Sequence, residues 1–274
     1  MEYQWRNVKL TAEEKISVFR PLLEKFETDH VKAWCAEMIG KIDDKIFEIA
    51  ASTSSKHHNK TQCQPHGQVY HIIMFATIMN YILDLEYVQK KFKSPEQRDA
   101  MRCTPYLHDA LKLGLGNSSY TVHEHPILAA EWIKNVETIH PIDDKVKKAI
   151  ADMVAAHSGQ WTTSKKSKIE LPMPQNDMQF VVHLCDYLSS RSDIDMQPPD
   201  YLKDIFEDMN EPLVFDENYV LPFGKYAQQR LIDVYRADPG YCEWMEANIQ
   251  KREVVNNIKA MKEYLKNKEN INES

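Results

Sequence analysis

Apolar residues recur at three- and four-residue spacing along most of the chain, which is the period of an amphipathic helix. Thr11 opens TAEE with Glu14 three residues on, a capping box that predicts a helix to about Phe26. Val31, Trp34, Cys35, Met38, Ile42, Ile46 and Ile49 form one apolar face and predict a second helix from Val31 to about Ala50. The polar run ASTSSKHHNKTQCQP breaks the period and reads as a loop. From Gly67 to about Phe92 the pattern is apolar around much of the helix circumference, which predicts a central element covered on several sides. Ser94 and Gln97 bracket Pro95 as a second capping box, opening a helix that carries Met101, Tyr106, Leu107 and the pair His108-Asp109. Pro126 starts another helix, with Ile127, Leu128, Ala130, Trp132 and Ile133 inward. Pro141 starts the next, with Val146, Ile150, Met153 and Val154 inward and His157 at its end. A loop follows from Ser158 to about Gln175, and the helical period returns through MQFVVHLCDYLSSR up to Arg191. Pro198-Pro199 leads into a short helix near Tyr201 to Met209.

After Asn210 the pattern changes to a short β-like run, a glycine turn and two short amphipathic pieces, then a helix from Ile249 to about Lys268 and a frayed NKENINES end. The expected architecture is therefore an all-α bundle over residues 1–210, with a small α+β appendage over 211–274.

Composition narrows this picture. The chain has 274 residues, 43% of them hydrophobic, enough to bury a core, and only 7 glycines, which disfavours a many-turned β protein. A net charge of −7 argues against a broad nucleic-acid-binding surface while leaving room for a locally positive cleft. The 5 cysteines are scattered and odd in number, the usage of free thiols in a reducing compartment. The start of the chain lacks the apolar run of a signal peptide, and no apolar stretch is long enough for a membrane span, so a soluble cytoplasmic protein is expected.

Burying an imidazole beside a carboxylate, as His108-Asp109 does, is costly unless something pairs with them, and a metal ion is the usual partner. His71, His108, Asp109, His125, His157 and Asp186 all fall at or near helix ends and offer a ligand series for divalent transition metals. One bridging aspartate, one capping aspartate and four histidines suffice for a two-metal site, whose ions share a bridging water or hydroxide as nucleophile. Lys112, one turn past the dipeptide, can contact a phosphoryl group as a point charge. Any single histidine is more often structural, and His140 and His183 read that way. A rival set of His57, His58, Cys63 and His66 could hold a structural zinc ion but lacks paired zinc-motif spacing.

The order His71, His108-Asp109, His125, His157, Asp186 resembles the six-ligand form of the HD superfamily of metal-dependent phosphohydrolases. GQVYHI, LHDALKLG, HEHPILAAEWI, AAHSGQW and HLCDYLSSR are similar to the helices that carry those ligands in turn. Within that superfamily the chain resembles the HD part of YhaM-type 3′→5′ exoribonucleases over roughly residues 20 to 195, including the KHHN loop before GQVYHI. It departs in three ways. Nothing before Thr11 supplies the N-terminal nucleic-acid-binding barrel of those enzymes, the loop between His58 and Gly67 is long, and His157-Ser158 stands where many relatives have two histidines. The segment LPFGKYAQQRLIDVYRADPGYCEWM resembles a small Phe-Gly-Lys-Tyr module found beside nucleases, with Gln228 or Gln229 where a glycine is usual. Lys225, Tyr226, Tyr241 and Trp244 of that module could stack on bases or grip a backbone, although the two later aromatics fit a small core better.

The resemblance implies an HD-domain helical bundle and two divalent ions (Mn, Fe, Co, Ni, Mg or Zn). The implied enzyme is a phosphohydrolase acting on a nucleotide or short oligonucleotide, with Asp109 and Lys112 in the chemistry. Lys112, Arg191, His58 and His66 are then the expected substrate contacts. The alternatives are a 3′→5′ exonuclease on single-stranded nucleic acid and a non-catalytic nucleotide-binding relic.

Overall fold

The computed structural model describes residues 10–52, 58–116, 118–194, 215–248 and 252–272. It divides into two compact units, Met1–Pro198 and Pro199–Ser274. The expected boundary at 210 and the expected helix near Tyr201–Met209 lie outside the described residues. Twelve α-helices and no strand are found among the described residues, so the protein is helical.

In the first unit the helices are α1 (Ala12–Leu23), α2 (Asp29–Gly40), α3 (Asp44–Glu48), α4 (Gly67–Leu83), α5 (Glu86–Lys91), α6 (Pro95–Leu107), α7 (His125–Asn135), α8 (Asp144–Ala155) and α9 (Asp177–Ser190). The Thr11 capping box forms in full: Thr11 Oγ1 accepts from the Glu14 amide and Glu14 caps the Thr11 amide in return. Ser94 makes no such side-chain bond, so α6 starts on Pro95 alone. Two helices expected as continuous are broken. The second ends at Gly40, and Asp43 caps the separate α3 through the Lys45 amide. The central one ends at Leu83 before the short α5. The apolar period runs through the first break because Ile42 in the turn and Ile46 on α3 both stay buried. The helix expected from Pro141 starts instead at Asp144, where the Asp143 side chain accepts from the Lys145 amide.

As its all-round apolar pattern predicts, α4 is buried at every residue from Gly67 to Asn80 and packs against α1, α3, α6 and α9. Phe19, Trp34, Phe47, Phe75 and Tyr106 fill the surrounding core, each burial contributing about 1.5–3 kcal/mol. A buried polar knot ties α6 to the turn between α1 and α2. Asp99, fully buried, accepts from the amides of Glu27 and Thr28, from Thr28 Oγ1 at 2.7 Å and from Arg102 Nη1 at 2.9 Å. Arg98 and Arg102 both reach Glu27.

In the second unit are α10 (Leu231–Ala237), α11 (Pro239–Asn248) and α12 (Arg252–Asn272), around a core of Leu221, Leu231, Val234, Cys242, Met245, Val254, Ile258 and Met261. The expected β-like run reduces to one antiparallel bridge, Val220 with Arg230. The last helix continues to Asn272, through most of the expected frayed end. The Phe-Gly-Lys-Tyr turn is held from within. Asp238 accepts from Tyr226 Oη at 2.9 Å and from Lys225 Nζ at 3.1 Å, and Tyr241 Oη accepts from the Lys225 amide at 3.0 Å. A Cβ on Gly224, at φ +89°, would sit 2.2 Å from Tyr241 Oη. Gln228 takes φ +65°, so the turn holds a side chain in the left-handed region.

Candidate metal centre

The six expected donors come from five helices and the turns at their ends, all in the first unit. His71 lies on α4, His108 caps the C-terminus of α6 with Asp109 next to it, His125 opens α7, His157 follows α8, and Asp186 lies on α9. Pro105 lacks the amide that would bond the Met101 carbonyl. Thr104 Oγ1 donates to that carbonyl instead at 2.7 Å, so α6 stays intact up to His108.

Each imidazole is fixed through Nδ1. His108 donates to the Pro105 carbonyl at 2.8 Å, His125 to the Val122 carbonyl at 2.7 Å and His157 to the Val154 carbonyl at 2.7 Å. A carbonyl only accepts, so in the neutral ring Nδ1 carries the proton and Nε2 presents a lone pair. His71 Nδ1 meets Ser189 Oγ at 3.2 Å, and that hydroxyl donates its own proton to the Asp186 carbonyl, leaving its oxygen to accept. All four Nε2 atoms face inward.

They converge in two groups. His71 Nε2 is 3.2 Å from His108 Nε2 and 3.0 Å from Asp186 Oδ1. His125 Nε2 is 3.2 Å from His157 Nε2. Asp109 lies between them: its Oδ2 is 3.2 Å from His108 Nε2, and its Oδ1 is 2.9 Å from His125 Nε2 and 4.0 Å from His157 Nε2. Lone pairs facing at this separation in a buried site repel unless a cation lies between them. The donor set therefore fits divalent metal: His71, His108 and Asp186 form one group able to hold an ion and His108, Asp109 and His157 another, with His125 beside the second at Asp109 Oδ1 and His157 Nε2.

The electrostatics of His71, His157 and both carboxylates agree with that donor set, while Asp109 draws His108 toward its protonated form. Burial drives the His71 pKa down despite Asp186, and it drives His157 down to about 3, helped by the charges of His108 and His125. For His108 burial acts the same way, but the Asp109 carboxylate outweighs it and the pKa rises. Burial alone would raise Asp109 and Asp186. Lys112 and His108 hold Asp109 well below the usual carboxylate range, and His71 with His108 does so for Asp186. Both carboxylates are thus anionic and ready to coordinate.

The donors line a cavity of about 260 Å³, together with Ala51, His58, Lys112, Thr121, Ser158, Trp161 and Ser190. Lys112 is placed there as expected from its spacing, its Nζ 2.6 Å from Asp109 Oδ2. His58 also reaches the wall, its Nδ1 2.9 Å from Gln62 Oε1, and burial lowers its pKa to about 4. His66 and Arg191 are not brought to the cavity. His66 donates from Nδ1 to the Phe47 carbonyl at 2.7 Å, and the Arg191 guanidinium lies 4.6 Å from the centre of the Tyr187 ring. His57 lies outside the described residues, and neither group of donors able to hold a metal among the described residues includes Cys63 or His66. His140 and His183 are structural, as their positions suggested: His140 Nδ1 pairs with Glu37, and His183 Nδ1 donates to the His157 carbonyl at 2.8 Å.

Two site residues escaped the sequence reading. Gln68, fully buried, accepts from Lys112 Nζ at 2.8 Å and donates to Asp109 Oδ2 at 3.0 Å. Its position three residues before His71, on the same helix face, was the available signal. Trp161, at the cavity wall yet 52% exposed, was the other, and an aromatic just after a ligand histidine was its only sign.

Comparison with curated proteins and with solved structures returns no match. No helix among the described residues is long and apolar enough to cross a membrane. The family model described as "HD domain" matches residues 69–191, a span that contains all six donors and Lys112. Residues 69–191, the span in which the four histidines and two aspartates converge, thus resemble the HD domain of metal-dependent phosphohydrolases.

Proposed function

We propose that the protein hydrolyses a phosphoester or phosphoanhydride bond of a nucleotide or short oligonucleotide, using two divalent metal ions. The observation that carries this reading is the position of Asp109, one oxygen toward His108 and the other toward His125, with Lys112 on its flank. Divalent metal, when bound, supplies Lewis acidity toward phosphate oxygens and makes water acidic enough to give a nucleophile at neutral pH. His71, His108 and Asp186 would hold one ion, and His125 with His157 the other.

The chain's own groups do the rest. Asp109 and Asp186 would offset two of the four positive charges of two divalent ions, leaving net positive charge for an anionic substrate to meet. Lys112 Nζ, anchored by Gln68 and Asp109, places one further positive charge at the wall, where charge develops on the phosphoryl oxygens. Thr121 and Ser158 also line the cavity, as does Ser190, whose hydroxyl donates to the Tyr187 carbonyl.

A second reading, a 3′→5′ exonuclease of YhaM type, draws on His58. That residue, from the KHHN loop, stands at the cavity wall where it can reach a flanking phosphate.

A panel of nucleotides, cyclic dinucleotides and single-stranded oligonucleotides, incubated with Mn²⁺ and resolved by mass, tests both. Release of phosphate or of a nucleotide from a small substrate supports the first reading, and stepwise loss of mononucleotides from a strand supports the second. Protein that keeps under about one metal per chain and hydrolyses nothing in the panel is the non-catalytic relic instead.

A further inference from the structure

We propose that Trp161 is the platform on which the base of the substrate stacks. This inference rests on the phosphohydrolase reading of the same cavity and names the part of the substrate that lies farthest from the metal donors.

Trp161 combines two properties that seldom occur together by chance. Its indole lines the cavity that holds all six donors, and it is 52% exposed. Half-covered indole is apolar area left in water at a cost of about 25 cal/mol per Å², and a flat ligand removes that cost. The ring is also braced. It stacks on Tyr187 with centroids 5.6 Å apart and planes within 19°, and Tyr187 in turn carries the Arg191 guanidinium 4.6 Å from its centre. A braced ring loses little freedom when a ligand settles on it, so more of the stacking energy appears as affinity.

The loop that presents Trp161 is registered to the metal donors. Gly159 has φ +61°, and a Cβ there would sit 2.1 Å from the His183 ring, so the backbone lies flat on that imidazole. His183 also donates to the carbonyl of the ligand His157 and meets the Trp161 ring edge-on at 5.8 Å. The Trp161 amide closes the turn on the Ser158 carbonyl, and Thr162 is bonded to Leu171, which is buried. One imidazole thus fixes both the donor and the platform.

Size decides which part of a ligand meets the indole. At about 260 Å³ the cavity is below the usual 300–1,000 Å³ of sites that enclose a whole small molecule. It encloses the phosphoryl end, among donors and hydroxyls, and leaves the rest at the rim. A ligand with an anionic group at one end and a flat ring at the other matches that division, and a nucleotide has both.

The test is binding of adenosine 5′-monophosphate and of ribose 5-phosphate, which lacks the base, to the Mn²⁺-loaded protein by calorimetry. Wild type is expected to prefer the nucleotide by about 10–100-fold, the range of base–aromatic stacking. Trp161→Ala should erase that preference while leaving ribose 5-phosphate affinity and metal content unchanged, and Trp161→Phe should recover most of it. A wild type without the preference, a Trp161→Ala protein that keeps it, or an equal loss for both ligands would overturn the proposal. Because binding is read rather than turnover, a panel without hydrolysis would sink the phosphohydrolase reading and leave the stacking result standing on its own.

Discussion

Lys112 Nζ donates to Gln68 Oε1 at 2.8 Å while the same amide donates from Nε2 to Asp109 Oδ2 at 3.0 Å. Lys112 and Asp109 are themselves 2.6 Å apart, so three buried side chains close a triangle. An amide accepts from an ammonium through its oxygen and donates to a carboxylate through its nitrogen at once. Gln68 therefore ties Lys112 and Asp109 together. Gln68→Ala should lower turnover about 10–100-fold, the usual effect of losing a group that orients metal ligands. Metal content measured by atomic spectroscopy should fall far less than turnover. Unchanged turnover would show that Lys112 and Asp109 hold their places unaided.

Asp109 has a different role, because both of its oxygens face imidazole donors. Asp109→Ala removes a contact to each side of the site and leaves Lys112 buried with only Gln68. Metal affinity should drop by more than about 100-fold, beyond the range for orienting groups, and turnover should vanish. A variant that keeps both metal and activity would remove this residue from the centre.

How much of this was readable in advance follows from physical range. The fold class was readable because α1, α2 and α8 bury stripes that repeat with helical period and α4 is apolar all round. His108, His125 and His157 stand where elements end or begin, while His71 and Asp186 lie within α4 and α9, where the resemblance of their flanking segments to HD helices singled them out. The breaks at Lys41–Asp43 and Asp84–Leu85 were not, since apolar spacing continues across them and only tertiary packing decides where the backbone turns. Gln68 and Trp161 carried only weak local signals, their spacing from His71 and His157, because their roles depend on residues on other elements. The same holds for His66 and Arg191. Both stand near the donors in sequence and are held elsewhere, one by the Phe47 carbonyl and the other against Tyr187.

Asp99 offers a test of stability apart from the chemistry. It is fully buried and compensates Arg102 and two backbone amides at the turn before α2. Asp99→Ala leaves those donors uncompensated, which typically costs about 3–5 kcal/mol. The urea midpoint should fall accordingly, with metal binding lost only as the fold is lost. A shift under about 1 kcal/mol would mean that water replaces the carboxylate, a much weaker penalty than a dry site imposes.

Gln228 points the other way. Its φ of +65° costs an L-residue about 1–2 kcal/mol, and the position is exposed, so the side chain has no burial to offset this. Gln228→Gly removes the strain and returns about 0.5–1 kcal/mol as unfolded-state entropy. The net gain should be about 0.5–1 kcal/mol, seen as a higher midpoint of the transition that reports Trp244. A lower midpoint would show that the glutamine makes a contact worth more than its strain.

Glu27 makes the acid limb of stability testable. Its bond from Arg98 lowers its pKa from the ordinary 4.5 to about 2, with Arg102 adding to the effect against the opposing influence of burial. A carboxylate whose folded pKa is depressed stabilises fully above its unfolded pKa and loses that contribution as pH falls through the folded value. The window here runs from about 4.5 down to about 2. Glu27→Gln keeps the shape and cannot titrate, so it should be less stable than wild type at pH 7 while the gap narrows steadily below about pH 4.5. The gap should be modest, because a third of the Glu27 side chain is exposed and solvent screens the pair. Urea midpoints at pH 7, 4 and 3 measure it directly. A gap that stays constant across that range would place the value of Glu27 in its packing rather than in its charge.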